Sequence, residues 1–169
     1  MARGYIYEMA TDINTVGSFT ESDLNGTSFI GGEVDFISPV EDDKQEALRD
    51  DLRGRLIASG ADVKEVENTE GLQLDWGADK IISFQITQRV KNNWFRKRYE
   101  SLVNQVNKLL CLRDFATDSI KLGNLRSTIE DRYGDLVYLE DEGWATFDQF
   151  MRSADPETTY YIGNVILCH

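Results

Sequence analysis

The chain has 169 residues, two prolines and two cysteines, with 18 Lys/Arg against 30 Asp/Glu and a formal net charge of −12. A chain of this length buries about 70% of its unfolded surface, enough for one domain over residues 1–169 without metal or disulfide staples, and its 41% hydrophobic content excludes long disorder. The acidic balance disfavours general binding to nucleic acid, no apolar run reaches the length of a membrane span, and Cys111 and Cys168, with no CxxC, read as reduced thiols of a cytoplasmic protein.

Gly4 to Thr11 alternates, with Tyr5 and Tyr7 on one side and Ile6 and Glu8 on the other, which predicts a first strand. The early Glu8 and Asp12 break any signal-peptide core. Residues 12–32 read as a loop with glycines at 17, 26, 31 and 32, tacked down by Leu24, Phe29 and Ile30. Glu33 to Ile37 predicts a short strand. Ser38-Pro39-Val40-Glu41 then reads as a capping box with proline at the first helical position, opening a helix over 39–59. Its apolar face is Leu48, Leu52 and Leu56, and Gly60 stops it. Its many charges read as a solvated face with internal pairs.

Three short strands are expected at 61–67, 72–76 and 80–87, forming an antiparallel meander because the connections are too short to cross over. Ile82, Ile86 and Val90 also step at helical spacing, so residues 78–90 have a rival helical reading; the β-branched content favours strand. A long helix follows at about 88–112. Phe95, Tyr99, Leu102, Val103, Val106, Leu109 and Leu110 recur at three- and four-residue steps and predict a buried stripe centred on Tyr99 and Val106. Thr117 and Asp118 cap a further helix with Leu122, Leu125, Ile129 and Tyr133 on one face; Gly123 inside it costs roughly 1 kcal/mol relative to alanine. A strand at 135–140, an acidic turn at 140–143 and a helix at 144–154 with Trp144, Phe147, Phe150 and Met151 on one side come next. Thr158 to Leu167 is apolar enough to be a central strand, with Gly163 marking a bulge or a close backbone approach. The fold class is α+β: an antiparallel or mixed sheet including the N- and C-terminal strands, with the long helix packed on one face and two or three further helices.

Catalytic motifs are absent. The single histidine is His169, which removes Ser-His-Asp, Cys-His and HExxH constellations, and three His and Cys residues in total do not make an ordinary zinc site. No cofactor or metal is implied. Carboxylates alone could hold magnesium or cleave glycosides; the groupings are Glu33 with Asp35, and Glu140, Asp141 and Glu142 in one turn. Acidic residues in such numbers more often mark solvated turns.

Two surfaces carry the functional reading. The segment 89–99 interleaves Arg89, Lys91, Arg96, Lys97 and Arg98 with Trp94, Phe95 and Tyr99, a composition suited to phosphates and stacked bases. At about 100° per residue Lys91 and Arg98 fall at one edge of the stripe, Arg89 and Arg96 at the other and Lys97 nearly opposite it, so the long basic stems at the edges cover a core margin. Trp94 falls off the stripe, beside Lys91 and Arg98, and that trio reads as an interface anchor. On the earlier helix, Asp42, Asp43, Glu46 and Asp50 could stand in for phosphates in an acidic mimic of nucleic acid. The expectation is a small non-enzymatic interaction protein whose partner is another protein; direct nucleic-acid binding through 89–99 comes second, and a carboxylate-only enzyme third.

Overall fold

A computed structural model describes residues 4–25, 29–31, 34–67, 80–110, 115–130, 134–140 and 142–168. The framework is one mixed sheet. Its order is β3 (Val63–Glu67), β4 (Lys80–Gln85), β7 (Thr159–Cys168), β1 (Gly4–Ala10), β5 (Leu136–Leu139), β6 (Gly143–Thr146). A seventh strand, β2 (Ile37–Pro39), pairs with the second half of β7, on the edge whose first half is taken by β4. β1 runs parallel to β5, and the other pairs are antiparallel. The first and last strands are therefore neighbours at the sheet's centre, as the apolarity of the last strand predicts.

Alternation along β1 sorts two cores. Tyr7 and Met9 face the helices, packing with Leu52 and Leu56 of α2 (Asp42–Ala58), Val90 of α3 (Gln88–Leu110) and Phe147, Phe150 and Met151 of α5 (Phe147–Ser153). Ile6 faces the opposite way, with Ile166 and Cys168, beneath Phe19, Leu24 and Phe29. That cover comes from the described residues between β1 and β2, 11–25, 29–31 and 34–36, which include the one-turn helix α1 (Glu21–Leu24). Leu52 and Leu56 are fully buried, each contributing about 1.5–3 kcal/mol of burial. Residues 80–85 are strand, with Ile82 and Phe84 on the helix side, and the helical rival for this segment fails.

Several expectations are corrected. The helix opens at Asp42 with Glu41 as N-cap and no side-chain cap; Ser38 and Pro39 belong to β2, where Ser38 registers with Leu167. Edge pairing with β7 outcompetes the capping box, and a proline at a strand end loses little. The strand expected at 33–37 is displaced to 37–39. On α2, Gln45 and Arg49 are buried, not solvated. Trp144 sits on β6 and packs on Phe29 in the second core, while Phe147, Phe150 and Met151 begin afresh as α5 behind a Thr146–Gln149 capping box. α4 (Phe115–Glu130) starts before Thr117 and Asp118. The strand expected at 72–76, Glu33, Asp141, Tyr133, Cys111 and His169 lie outside the described residues.

The largest correction concerns α3. At about 100° per residue, Val90, buried on the sheet, lies opposite Tyr99. The stripe centred on Tyr99 and Val106 is therefore turned away from the sheet. α3 packs on the helix-covered face of the sheet, as expected, through its first three turns, from Val90 to Lys97 and Arg98. The rest continues outward and pairs with α4 as a helical hairpin, an arm.

Candidate functional site

The root of the arm is fixed by the trio singled out in the sequence. Trp94 stacks on Phe147 with centroids 5.1 Å apart, and its Nε1–H donates to Asp148 Oδ1 at 2.8 Å. Arg98 Nε donates to Asp148 Oδ2 at 3.0 Å, and Lys91 Nζ donates to the carbonyls of Arg152 at 2.9 Å and Ala154 at 2.6 Å. Lys91, Trp94 and Arg98 thus meet at one place, and their contacts seat α5 against α3 inside the chain. Lys91 occupies the C-terminal carbonyls of α5, where a helix favours a cation. Of the other cations in this segment, Lys97 donates to Ala58 O at 2.6 Å and Arg96 to Asn93 Oδ1 at 3.0 Å.

Beyond the root, α3 turns Arg98, Leu102, Gln105 and Leu109 towards α4. Arg98 donates to Thr128 O at 3.1 Å, and the Thr128 hydroxyl donates to Gln105 Oε1 at 3.3 Å. α4 returns Lys121, Leu125 and Thr128, all half-buried. On each helix the next apolar positions lie about 90° round from that seam. They are Tyr99 and Val106 on α3 and Leu122 and Ile129 on α4, at exposures of 68%, 41%, 55% and 63%. In an antiparallel hairpin these positions rotate to the same side. Tyr99 stands level with Ile129, and Val106 with Leu122. Seven-residue spacing on both helices thus builds one flat apolar face, with Arg96 and Arg126 at its margins.

The arm also divides the charge. Residues 88–130 hold nine Lys/Arg and four Asp/Glu, net +5, and the remaining residues hold nine and 26, net −17. The acidic face of α2 is a separate surface: Asp42, Asp43, Glu46 and Asp50 are all exposed and fall within about 100° of arc. Asp50 approaches Arg53 at 4.0 Å, and the Asp43 carboxylate accepts from Lys44 N.

The carboxylate that sequence reading passed over is Glu8. On β7, Gly163 and Asn164 together oppose this single β1 residue, a β-bulge, since Tyr7 pairs with Val165 and Met9 with Ile162. The close approach expected at Gly163 is present: a Cβ there would lie 2.0 Å from Glu8 Oε2. The carboxylate fills that space and accepts from Asn164 N at 2.7 Å, Gly17 N at 3.0 Å and Phe19 N at 3.4 Å. Asn164 Nδ2 returns two bonds to the carbonyls of Gly17 and Phe19, and Gln45 Oε1 accepts from Val165 N at 2.8 Å. Burial pushes the Glu8 carboxyl above the usual carboxylate range, against the pull of its backbone N–H donors. It borders a cleft of about 80 Å³ with Tyr138, Glu140 and Glu142. That volume is well below that of an ordinary ligand pocket, roughly 300–1,000 Å³. A second polar cluster joins α2 to β5, where Arg55 donates to Asp135 at 2.8 Å and to the Tyr7 hydroxyl, whose pKa burial raises.

Among the described residues no group of three or more His, Cys, Asp or Glu could hold a metal ion, and no helix is long and apolar enough to cross a membrane. Comparison with protein-family models, curated proteins and solved structures finds no match to this chain.

The four residues of this face were legible as apolar positions at helical spacing, but Tyr99 and Val106 were assigned to the core and Leu122 and Ile129 only to one face of their helix. The signal that marks them out is charge. The apolar repeat lies in the one long segment with excess cations, and the acidic body holds a complete core without it.

Proposed function

We propose that this chain is a non-enzymatic protein-interaction module whose binding surface is the outer face of the α3–α4 arm. The observation that carries this is the exposed quartet Tyr99, Val106, Leu122 and Ile129, in register on one side of a helical hairpin. Contiguous apolar surface of this kind on a folded chain marks an interaction site. Aliphatic residues repeated every seven positions suit packing against another helix. Direct nucleic-acid binding through 89–99 is less well supported, because Lys91 and Arg98 are engaged inside the chain. A carboxylate-only enzyme is less well supported, because the buried carboxylate is held by backbone donors beside a very small cleft.

A second reading, the acidic mimic of nucleic acid, draws support from the exposed, one-sided array of Asp42, Asp43, Glu46 and Asp50. One affinity-capture experiment separates the two. Val106→Glu with Ile129→Glu is expected to abolish association while leaving circular dichroism and thermal unfolding unchanged. Asp42→Lys with Glu46→Lys is expected to leave association intact. The reverse pattern would transfer the function to α2, and capture that survives both pairs of substitutions would contradict both readings.

A further inference from the structure

We infer that the arm carries a second site, separate from its apolar face: a groove that binds a small soluble organic phosphate. The groove measures about 590 Å³ and is lined by Asn104, Asn107 and Lys108 of α3 and Lys121 of α4. That volume falls within the range of ordinary ligand sites, roughly 300–1,000 Å³, unlike the cleft beside Glu8. The bonds of Thr128 to Arg98 and Gln105 set it level with the middle of residues 98–105. Counting outward at equal rise along both helices brings Lys108 level with Lys121. On α3, Lys108 lies about 180° from Tyr99, so the groove is not part of the quartet's face.

The lining chooses the ligand. Among the described residues no carboxylate borders the groove, in a chain with 30 Asp/Glu. The cations at the root of the arm, Lys91, Lys97 and Arg98, are engaged inside the chain. Lys108 and Lys121 make no hydrogen bond or ion pair among the described residues; Arg89, which shares that state, lies at the other end of α3. An ammonium group donates and never accepts, and phosphate oxygens supply both the acceptors and the charge that two such groups lack. The Asn104 and Asn107 amides both donate and accept, which suits the hydroxyls or ring nitrogens of an organic portion, and the lysine stems give that portion apolar cover. Size follows from the charge outside the arm. A nucleic-acid strand or an anionic membrane would extend over residues of net −17 and be repelled, whereas a small ligand meets the arm of net +5 alone.

Titration of the full chain with ADP and with inorganic pyrophosphate, followed by amide NMR shifts, tests this. Saturable shifts confined to 104–108 and 119–123 are expected, weakened by salt, with ADP binding more tightly than pyrophosphate. Lys108 is exposed, so Lys108→Glu should keep the fold, checked by circular dichroism, and weaken ADP binding about tenfold or more. Adding Lys121→Met, which keeps the half-buried stem, should remove binding. Asn104→Asp with Asn107→Asp leaves both lysines in place and should also weaken it. No saturable shift with either probe at millimolar concentration would overturn the inference, as would affinity unchanged in Lys108→Glu. Pyrophosphate binding as tightly as ADP would overturn the organic portion. Binding to vesicles of phosphatidylcholine and phosphatidylinositol phosphate, with none to ADP or pyrophosphate, would overturn the soluble ligand.

Discussion

Glu8 and Gly163 are one structural unit. A strand glycine normally weakens a sheet, and a buried carboxylate normally costs several kcal/mol unless it is bonded. Here each answers the other's cost: the missing Cβ leaves room for the carboxylate, and the carboxylate accepts the backbone N–H that the bulge takes out of the ladder. Gly163→Ala should therefore destabilise the fold by about 2–4 kcal/mol in urea unfolding, through overpacking and displaced bonds. In a Glu8→Ala background the same change should cost markedly less, and equal costs would refute the coupling. The pH dependence follows from the raised carboxyl. The folded chain binds this proton more tightly than the unfolded chain, so the Glu8 contribution is most favourable at low pH and declines as pH rises from about 4.5 through the folded value. Relative to Glu8→Gln, the wild type should gain stability on acidification through that window; parallel profiles would contradict this assignment. Cys168, buried at the end of β7, has its thiol pushed up to about 11 by burial. In a Cys111→Ser background it should resist thiol reagents until the chain unfolds.

At the scale of elements, a single carboxylate accepts two of the bonds that join α5 to α3. Asp148 accepts from both Trp94 and Arg98. Asp148→Ala should cost about 1–3 kcal/mol and loosen the seat of α5, read as faster amide exchange over 147–153 with little change in β7. The legibility of the elements has physical reasons. β1, β4 and β7 could be read because each packs one or both faces and its residues say so. Gly163 could be read as special because nothing else explains a glycine in a central strand. The start of α2 could not: Ser38-Pro39-Val40-Glu41 satisfies every local rule for a helix start, and pairing of Ser38 with Leu167, 129 residues away, overrides them. Trp144 was misplaced for the same reason, since a strand and a helix share the run 143–153. In α3 the period and the packing on the sheet were read correctly, and the buried side was not. Periodicity identifies an apolar side but not what covers it, so a stripe left exposed looks like a stripe buried on the sheet.

At the scale of the molecule, the described residues form an acidic sheet body with its own cores and a basic helical arm that exposes Tyr99, Val106, Leu122 and Ile129. The trio Lys91, Trp94 and Arg98, which looks like a binding site in sequence, belongs to the joint from which the arm extends. The division into body and arm makes the arm's outer residues separable from stability. Tyr99→Ser or Leu122→Ser should change the unfolding free energy by less than about 0.5 kcal/mol, as for other surface positions, whereas Leu52→Ala on α2 should cost about 2–5 kcal/mol. Amide hydrogen exchange of the chain alone and in its affinity-captured complex tests the central claim most directly. Added protection is predicted over 99–109 and 119–129, with none over the acidic turns of α2. No added protection in the arm, or protection confined to α2, would contradict it.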